Sequence, residues 1–210
     1  MNEPNLISHW NIDYCKHEDT SLIVGSPNRS SSCFIFSDTK SNKYIAEGFA
    51  LSKRQKQDNQ TKFLEHIKSH TVYPHLRTPN GDTGVTKHNL FWQLRPYVLS
   101  DKLDRSTLPA NIDLGIDYAK FLLNLKDRSE SYEGALPNKP FRVSEFLPIL
   151  YRHAERTVPE ILSKIRYIES RLSDFLRWDR VTDQLVAHGD FHPGNILTAG
   201  GKLVAVIDWE

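Results

Sequence analysis

Three side chains near the end of the sequence have the types and spacing to do chemistry together: Asp190, Asn195 and Asp208. Asp190 and Asn195 share the segment His188-Gly189-Asp190-Phe191-His192-Pro193-Gly194-Asn195, where two glycines and a proline dictate a loop. Beyond it, the apolar runs Ile196-Leu197-Thr198 and Leu203 to Ile207 flank Ala199-Gly200-Gly201, which predicts a tight hairpin. The hairpin returns Asp208 to the neighbourhood of the loop, so three oxygen-bearing side chains converge at one edge of a small sheet. That donor set suits Mg²⁺, which takes hard oxygen ligands, keeps several waters and is shared between one or two carboxylates and substrate phosphates.

Singly, these pieces say little. An Asp and an Asn five apart occur in many loops, and an Asp after an apolar strand is often a turn former. Jointly they reproduce a known division of labour: an aspartate that accepts a hydroxyl proton, an asparagine on the metal, and a second aspartate after a hairpin, as in kinase-type phosphoryl transfer. His188 and His192, with Asp190 between them, also invite a zinc reading. An i,i+4 histidine pair clamps zinc when a helix sets both rings on one face, and Gly189, Pro193 and Gly194 make this segment a loop, which disfavours it.

The elements that must hold these groups follow from the apolar pattern. In the first hundred residues, Ser21 to Val24, Cys33 to Phe36 and Tyr44 to Ala46 predict short antiparallel strands. Between the first two lies a loop of small residues, Gly25 to Ser32. Phe63, Leu64 and Ile67 predict a helix over Asp58 to His70, and a Pro79-Asn80-Gly81 turn precedes a strand from Leu90 to Val98, which Pro96 should end. A lobe boundary is expected just after it.

From residue 100 the period becomes helical. Leu114, Tyr118, Phe121, Leu122 and Leu125 define one buried stripe. Phe146, Leu147, Leu150, Tyr151 and Ala154 define a second helix from near Ser144, with Pro148 in or near its first turn. A third helix, from Pro159, carries Ile161, Ile165, Ile168, Leu172 and Phe175. The run Leu185-Val186-Ala187 then reads as a strand leading into the polar loop.

Composition excludes several classes. With 210 residues, 39% hydrophobic and 25% charged, and a mean hydropathy of −0.51, the chain reads as soluble and globular, with no apolar run long enough to cross a membrane. Lys and Arg number 27 against 26 Asp and Glu, a formal charge of +1, so no basic field favours nucleic acid. Cys15 and Cys33 lack a metal or disulfide-scaffold spacing, and the first twenty residues lack a basic start followed by an apolar stretch. A cytoplasmic protein with reduced thiols is expected.

The string HGDFHPGN followed by VIDWE resembles the catalytic core of the aminoglycoside phosphotransferase/choline kinase family. The resemblance implies an α+β, two-lobed protein-kinase-like fold, with a β-rich nucleotide-binding lobe over residues 1–98 and a mostly helical lobe over 99–210. It implies transfer of the ATP γ-phosphoryl to a hydroxyl of a small molecule such as an amino sugar, sugar, amino alcohol or antibiotic. By position, Asp190 resembles the catalytic base, His188 the histidine that holds the loop, and Asn195 and Asp208 the Mg²⁺ ligands. Gly25, Ser26, Asn28 and Arg29 would cover the ATP phosphates, and Arg95 and Tyr97 would lie on the strand leading to the adenine hinge. The family's second lobe normally continues with helices past the point reached at Glu210, so the resemblance also implies an incomplete carboxy lobe and acceptor site. One departure stands out. Family members commonly carry a lysine in the third strand, and here Tyr44-Ile45-Ala46 is followed by Glu47. Either another cation (Lys43, Lys53 or Arg54) takes that contact, or the nucleotide is held differently, or the chain is a catalytically impaired nucleotide-binding pseudokinase or fragment.

Overall fold

A computed structural model describes residues 3–18, 30–101, 111–135, 143–171, 188–190 and 192–209. The chain divides into two compact units, one formed by Met1–Asn138 with Val186–Glu210, the other by Lys139–Leu185.

The first unit opens with a short helix α1 (Glu3–Ile7) and a single 3₁₀ turn, followed by β1 (Tyr14–His17), β2 (Ser32–Asp38) and β3 (Lys43–Ala50). Then come α2 (Arg54–His66), β4 (Val85–Lys87), β5 (Leu90–Pro96) and α3 (Ile112–Ser129). The five strands make one antiparallel sheet in the order β1-β2-β3-β5-β4. Alternation gives the sheet two faces of different character. Phe34, Phe36, Ala46, Trp92 and Leu94 point to one side, where Leu6, Ile7 and Trp10 cover them. Glu47, Gln93 and Arg95 lie on the other side, toward α2. A buried polar seam results: Gln93 Nε2 donates to Thr61 Oγ1 on α2 at 2.9 Å, and Thr61 Oγ1 pairs with His75 Nδ1 at 3.0 Å.

That seam explains where α2 departs from expectation. The helix starts at Arg54 and ends at His66, four residues earlier at each end than the apolar spacing predicts. The inner face of its first turns is Gln57, Gln60 and Thr61, all buried and all polar, so a search for apolar period finds only the Phe63–Leu64 end. The strand expected from Leu90 to Val98 stops at Pro96, the residue without a ladder N–H. On α3, the side chain of Asn111 caps the Leu114 N–H at 3.0 Å, and Leu114, Phe121 and Leu125 are buried. Leu122 is 45% exposed, because one step of 100° from Phe121 carries it off the stripe. The strand expected at Ser21 to Val24 and the one at Leu185 to Ala187 fall outside the described residues.

The same unit ends with β6 (Ile196–Ala199) and β7 (Lys202–Val206), an antiparallel hairpin whose turn uses Gly200 and Gly201 at φ +56° and +76°. Ile196, Leu203, Val206 and Trp209 join Phe63, Leu64 and Ile67 of the α2 region and Leu114, Phe121 and Leu125 of α3 in one core. Burying that much aliphatic and aromatic surface, at about 25 cal/mol per Å², anchors the hairpin against two helices. The second unit holds α4 (Val143–Thr157), a 3₁₀ turn over Pro159–Ile161 and α5 (Leu162–Arg171), tied by a hydrogen bond from the Tyr151 hydroxyl to Glu169. Pro148 falls in the second turn of α4 rather than the first.

Candidate active site

The loop before β6 is shaped by its own polar groups. His188 is 2% exposed, and its two nitrogens do different things: Nδ1 accepts the Asp190 N–H at 3.3 Å, and Nε2 lies 2.8 Å from the Ile207 carbonyl. Only a neutral ring with its proton on Nε2 makes both bonds, so His188 stitches the loop to the end of the hairpin. The ring rests 4.5 Å from that of Trp209, whose indole N–H donates to the Val206 carbonyl. Gly189, at φ +88°, makes the turn that a side chain would resist.

Asn195 works on the same scale from the other end. Its N–H donates to the His192 carbonyl and its own carbonyl accepts from the Ile207 N–H, each at 2.9 Å. Its Nδ2 donates to the Asp190 carbonyl at 2.9 Å and to Asp190 Oδ2 at 3.1 Å. His192 Nδ1 accepts the Gly194 N–H at 2.9 Å, and Nε2 sits 3.3 Å from Asp190 Oδ2. The Asp190 carboxylate is therefore aimed by two neighbours through one oxygen, yet its side chain is 50% exposed.

Asp208 follows β7 at φ +59°, a left-handed conformation that Asp tolerates better than most residues, and it is buried. It lines a narrow crevice of about 20 Å³ with Gln60, Tyr73, His75 and Arg95 among others. Gln60 Nε2 holds the Trp209 carbonyl at 2.6 Å, which ties α2 to the backbone just past Asp208. From the crevice wall Arg95 Nε donates to Glu47 Oε2 at 2.9 Å, and His75 Nε2 lies 3.9 Å from the same oxygen. Burial works to lower the Arg95 pKa, but the Glu47 carboxylate and the charge of Asp208 outweigh it and hold the guanidinium above its ordinary value.

The structure thus gathers His188, Asp190 and Asn195 in one loop and sets Arg95 and Asp208 in one crevice. Tyr97 extends the β3–β5 pairing, its N–H donating to the Lys43 carbonyl at 2.9 Å, and is not among the residues that line the crevice. Gly25, Ser26, Asn28 and Arg29 lie outside the described residues. Two of the cations considered as stand-ins at the Glu47 position are engaged elsewhere: Lys43 Nζ pairs with Glu18 at 3.2 Å, and the Arg54 guanidinium sits 5.3 Å from the Phe91 ring centre. Gln60 and His75 contribute to the crevice without any sequence signal, since buried polar residues follow neither a motif nor an apolar period.

Among the described residues no three His, Cys, Asp or Glu side chains form a metal-holding group. The donors that are present, the Asn195 amide oxygen and the Asp208 carboxylate, fit a hard cation that fills its other positions with water and phosphate oxygens. Among the described residues no helix is long and apolar enough to cross a membrane.

The fold has solved counterparts. The chain superposes on a thermostable mutant of aminoglycoside phosphotransferase APH(4)-Ia, in ternary complex with ADP and hygromycin B, with a TM-score of 0.61 and 17% identity, over 99% of this chain and 70% of that one. For an aminoglycoside phosphotransferase from Alicyclobacillus acidocaldarius the values are 0.60 and 13%, over 98% and 64%. For spectinomycin phosphotransferase APH(9)-Ia, in complex with ADP and spectinomycin, they are 0.59 and 12%, over 98% and 67%. The chain therefore has the α+β kinase-like fold of these proteins and spans roughly two thirds of their length. No curated protein sequence matches it. The sequence model of the phosphotransferase enzyme family covers residues 26–210, nearly the whole chain and all of the loop and hairpin described above, and the chain belongs to that family.

Proposed function

We propose that this chain carries the catalytic centre of an ATP-dependent phosphotransferase acting on a hydroxyl of a small molecule. The observation that carries the reading is the state of Asp190: a half-exposed carboxylate fixed by Asn195 and His192. An acceptor hydroxyl that donates to the open oxygen of Asp190 loses its proton there. Its oxygen forms the new bond to the γ-phosphorus while the bond from that phosphorus to the β–γ bridging oxygen breaks, and ADP leaves. Mg²⁺, when bound, neutralises charge on the phosphate oxygens. Asn195 and Asp208 are its protein ligands, and His188 positions the loop without touching substrate. Residues 1–98 act as the nucleotide lobe, and residues 99–210 carry the chemistry.

A small-molecule acceptor is supported by solved structures of the same fold, which include complexes with hygromycin B and with spectinomycin. The test is ADP release by the 210-residue chain with Mg²⁺, ATP and a panel of aminoglycosides, aminocyclitols and amino alcohols, with product mass read in parallel. One acceptor class should accelerate ADP release and gain the mass of a phosphoryl group. A chain whose melting temperature rises with Mg·ATP, but which phosphorylates none of them, would be a nucleotide-binding protein without transfer. A chain that ignores Mg·ATP altogether would remove the reading.

A further inference from the structure

We propose that Arg95 is the cation that grips the nucleotide's phosphates, aimed by Glu47; this rests on the nucleotide reading above. The register puts Glu47 opposite Gln93 and Ile45 opposite Arg95, so Glu47 and Arg95 are diagonal neighbours on the sheet face that looks toward α2. Their side chains are 6% and 12% exposed, and the pair is made through Nε. That contact uses Nε, one of the five guanidinium N–H donors, and the others are of the kind that bind an oxyanion. The crevice says which oxyanion. It also holds Asp208, whose charge reaches Arg95, and at about 20 Å³ it admits roughly one water-sized group. A phosphate oxygen fits there and a purine ring does not, so Arg95 reads the phosphate end of the nucleotide rather than its base.

Among the described residues that line the crevice, Arg95 and His75 are the groups that can carry positive charge, and His75 Nε2 already faces the Glu47 oxygen at 3.9 Å. Helix α2 sends its acids elsewhere: Glu65 pairs with Arg77 at 2.6 Å, and Asp58 accepts from the Thr83 hydroxyl. Gln60 is the polar side chain that α2 contributes to the crevice, next to Leu64, and its Nε2 is spent on the Trp209 carbonyl. The acid therefore comes from β3 and the cation from β5. Glu47, which at first sight puts a like charge where phosphates must bind, instead holds the guanidinium in place and is itself neutralised by it.

The test is binding of Mg·ATP, Mg·ADP and adenosine to the 210-residue chain by calorimetry. Arg95→Gln should weaken Mg·ATP about tenfold or more, weaken Mg·ADP less and leave adenosine unchanged. Glu47→Gln, which loosens the aim but keeps the cation, should give a smaller loss with the same ranking. Since Arg95→Gln strands a buried carboxylate and can unfold the sheet, the double variant Glu47→Leu/Arg95→Met removes the pair as a unit and keeps the volume filled. A folded double variant that binds Mg·ATP as tightly as wild type overturns the inference, and so does one that loses ATP and adenosine equally. If wild type binds none of the three, the nucleotide reading itself falls, and wild type alone reveals it.

Discussion

Two aspartates in two tight loops, Asp38 and Asp190, use the same carboxylate for opposite ends. Asp38, at the end of β2, accepts from the backbone N–H groups of Lys40 and Asn42 at 2.9 and 2.8 Å, from Asn42 Nδ2 at 2.8 Å and from the Tyr44 hydroxyl at 3.2 Å. Both of its oxygens are taken twice and the residue is buried. Asp190 accepts from Asn195 and faces His192, both through Oδ2, and half of its side chain meets solvent. Four donors make a carboxylate into a structural knot, whereas two donors on one oxygen aim it and leave the other oxygen for a partner. Counting donors therefore separates a carboxylate spent on a turn from one with an oxygen to spare, even where the sequence around each shows an aspartate near an asparagine.

The largest effect expected from that difference is at Asp190. Asp190→Asn keeps the shape and removes the proton acceptor, so turnover should fall about 10²- to 10⁴-fold while the melting temperature at neutral pH stays within error of wild type. Steady-state ADP release and a thermal melt check both halves, and unchanged turnover would end the assignment. Asp208→Asn comes next. It keeps a residue type that accepts the positive φ but loses the charge, so the Mg²⁺ concentration needed for half-maximal Mg·ATP binding should rise about tenfold to a hundredfold. A Mg²⁺ titration at fixed ATP reads this directly, and an unmoved midpoint would take Asp208 off the metal.

How much of this was legible in the sequence depends on whether a contact is local. The loop from His188 to Asn195 and the hairpin after it are written in consecutive residues: glycines and a proline break the chain, apolar runs flank a Gly-Gly turn, and the functional groups sit between. The strands of the sheet were visible too, because Cys33 to Phe36 and Leu90 to Val98 are runs rich in aromatic and apolar residues. The Glu47–Arg95 pair was not, since 48 residues separate its members and only the β3–β5 register makes them neighbours. Glu47 read alone looks like a missing lysine. The early start of α2 was hidden for a related reason, because its inner face there is polar, with Gln60 and Thr61 bonded to Trp209 and Gln93 from distant segments.

Asp38 should show the reverse of the Asp190 pattern. Asp38→Ala leaves the donors of Lys40, Asn42 and Tyr44 without their acceptor, so the melting temperature should drop by several degrees with no change in the acceptor's KM. A loss of stability from Asp190→Asn larger than that from Asp38→Ala would erase the distinction between the two loops.

The smallest effect is a pH dependence, and its sign is fixed by the direction of the Asp38 shift. Burial works to raise its pKa, but the donors from Asn42, Lys40 and Tyr44 outweigh burial and hold it below the ordinary value of 3.8. A group whose pKa is lower in the folded state than in the unfolded chain contributes stability that is complete above the unfolded value and is lost as pH falls through the folded one. Asp38→Asn mimics the protonated carboxyl at every pH. The melting-temperature gap between wild type and Asp38→Asn should therefore be constant from neutral pH down to the ordinary carboxylate range, then close as the acid wild type comes to resemble the variant. Closure must come from wild type losing stability rather than from the variant gaining it. A gap that stayed open in acid would mean that the four donors fix the turn by shape alone, and that charge at Asp38 contributes nothing to holding β2 against β3.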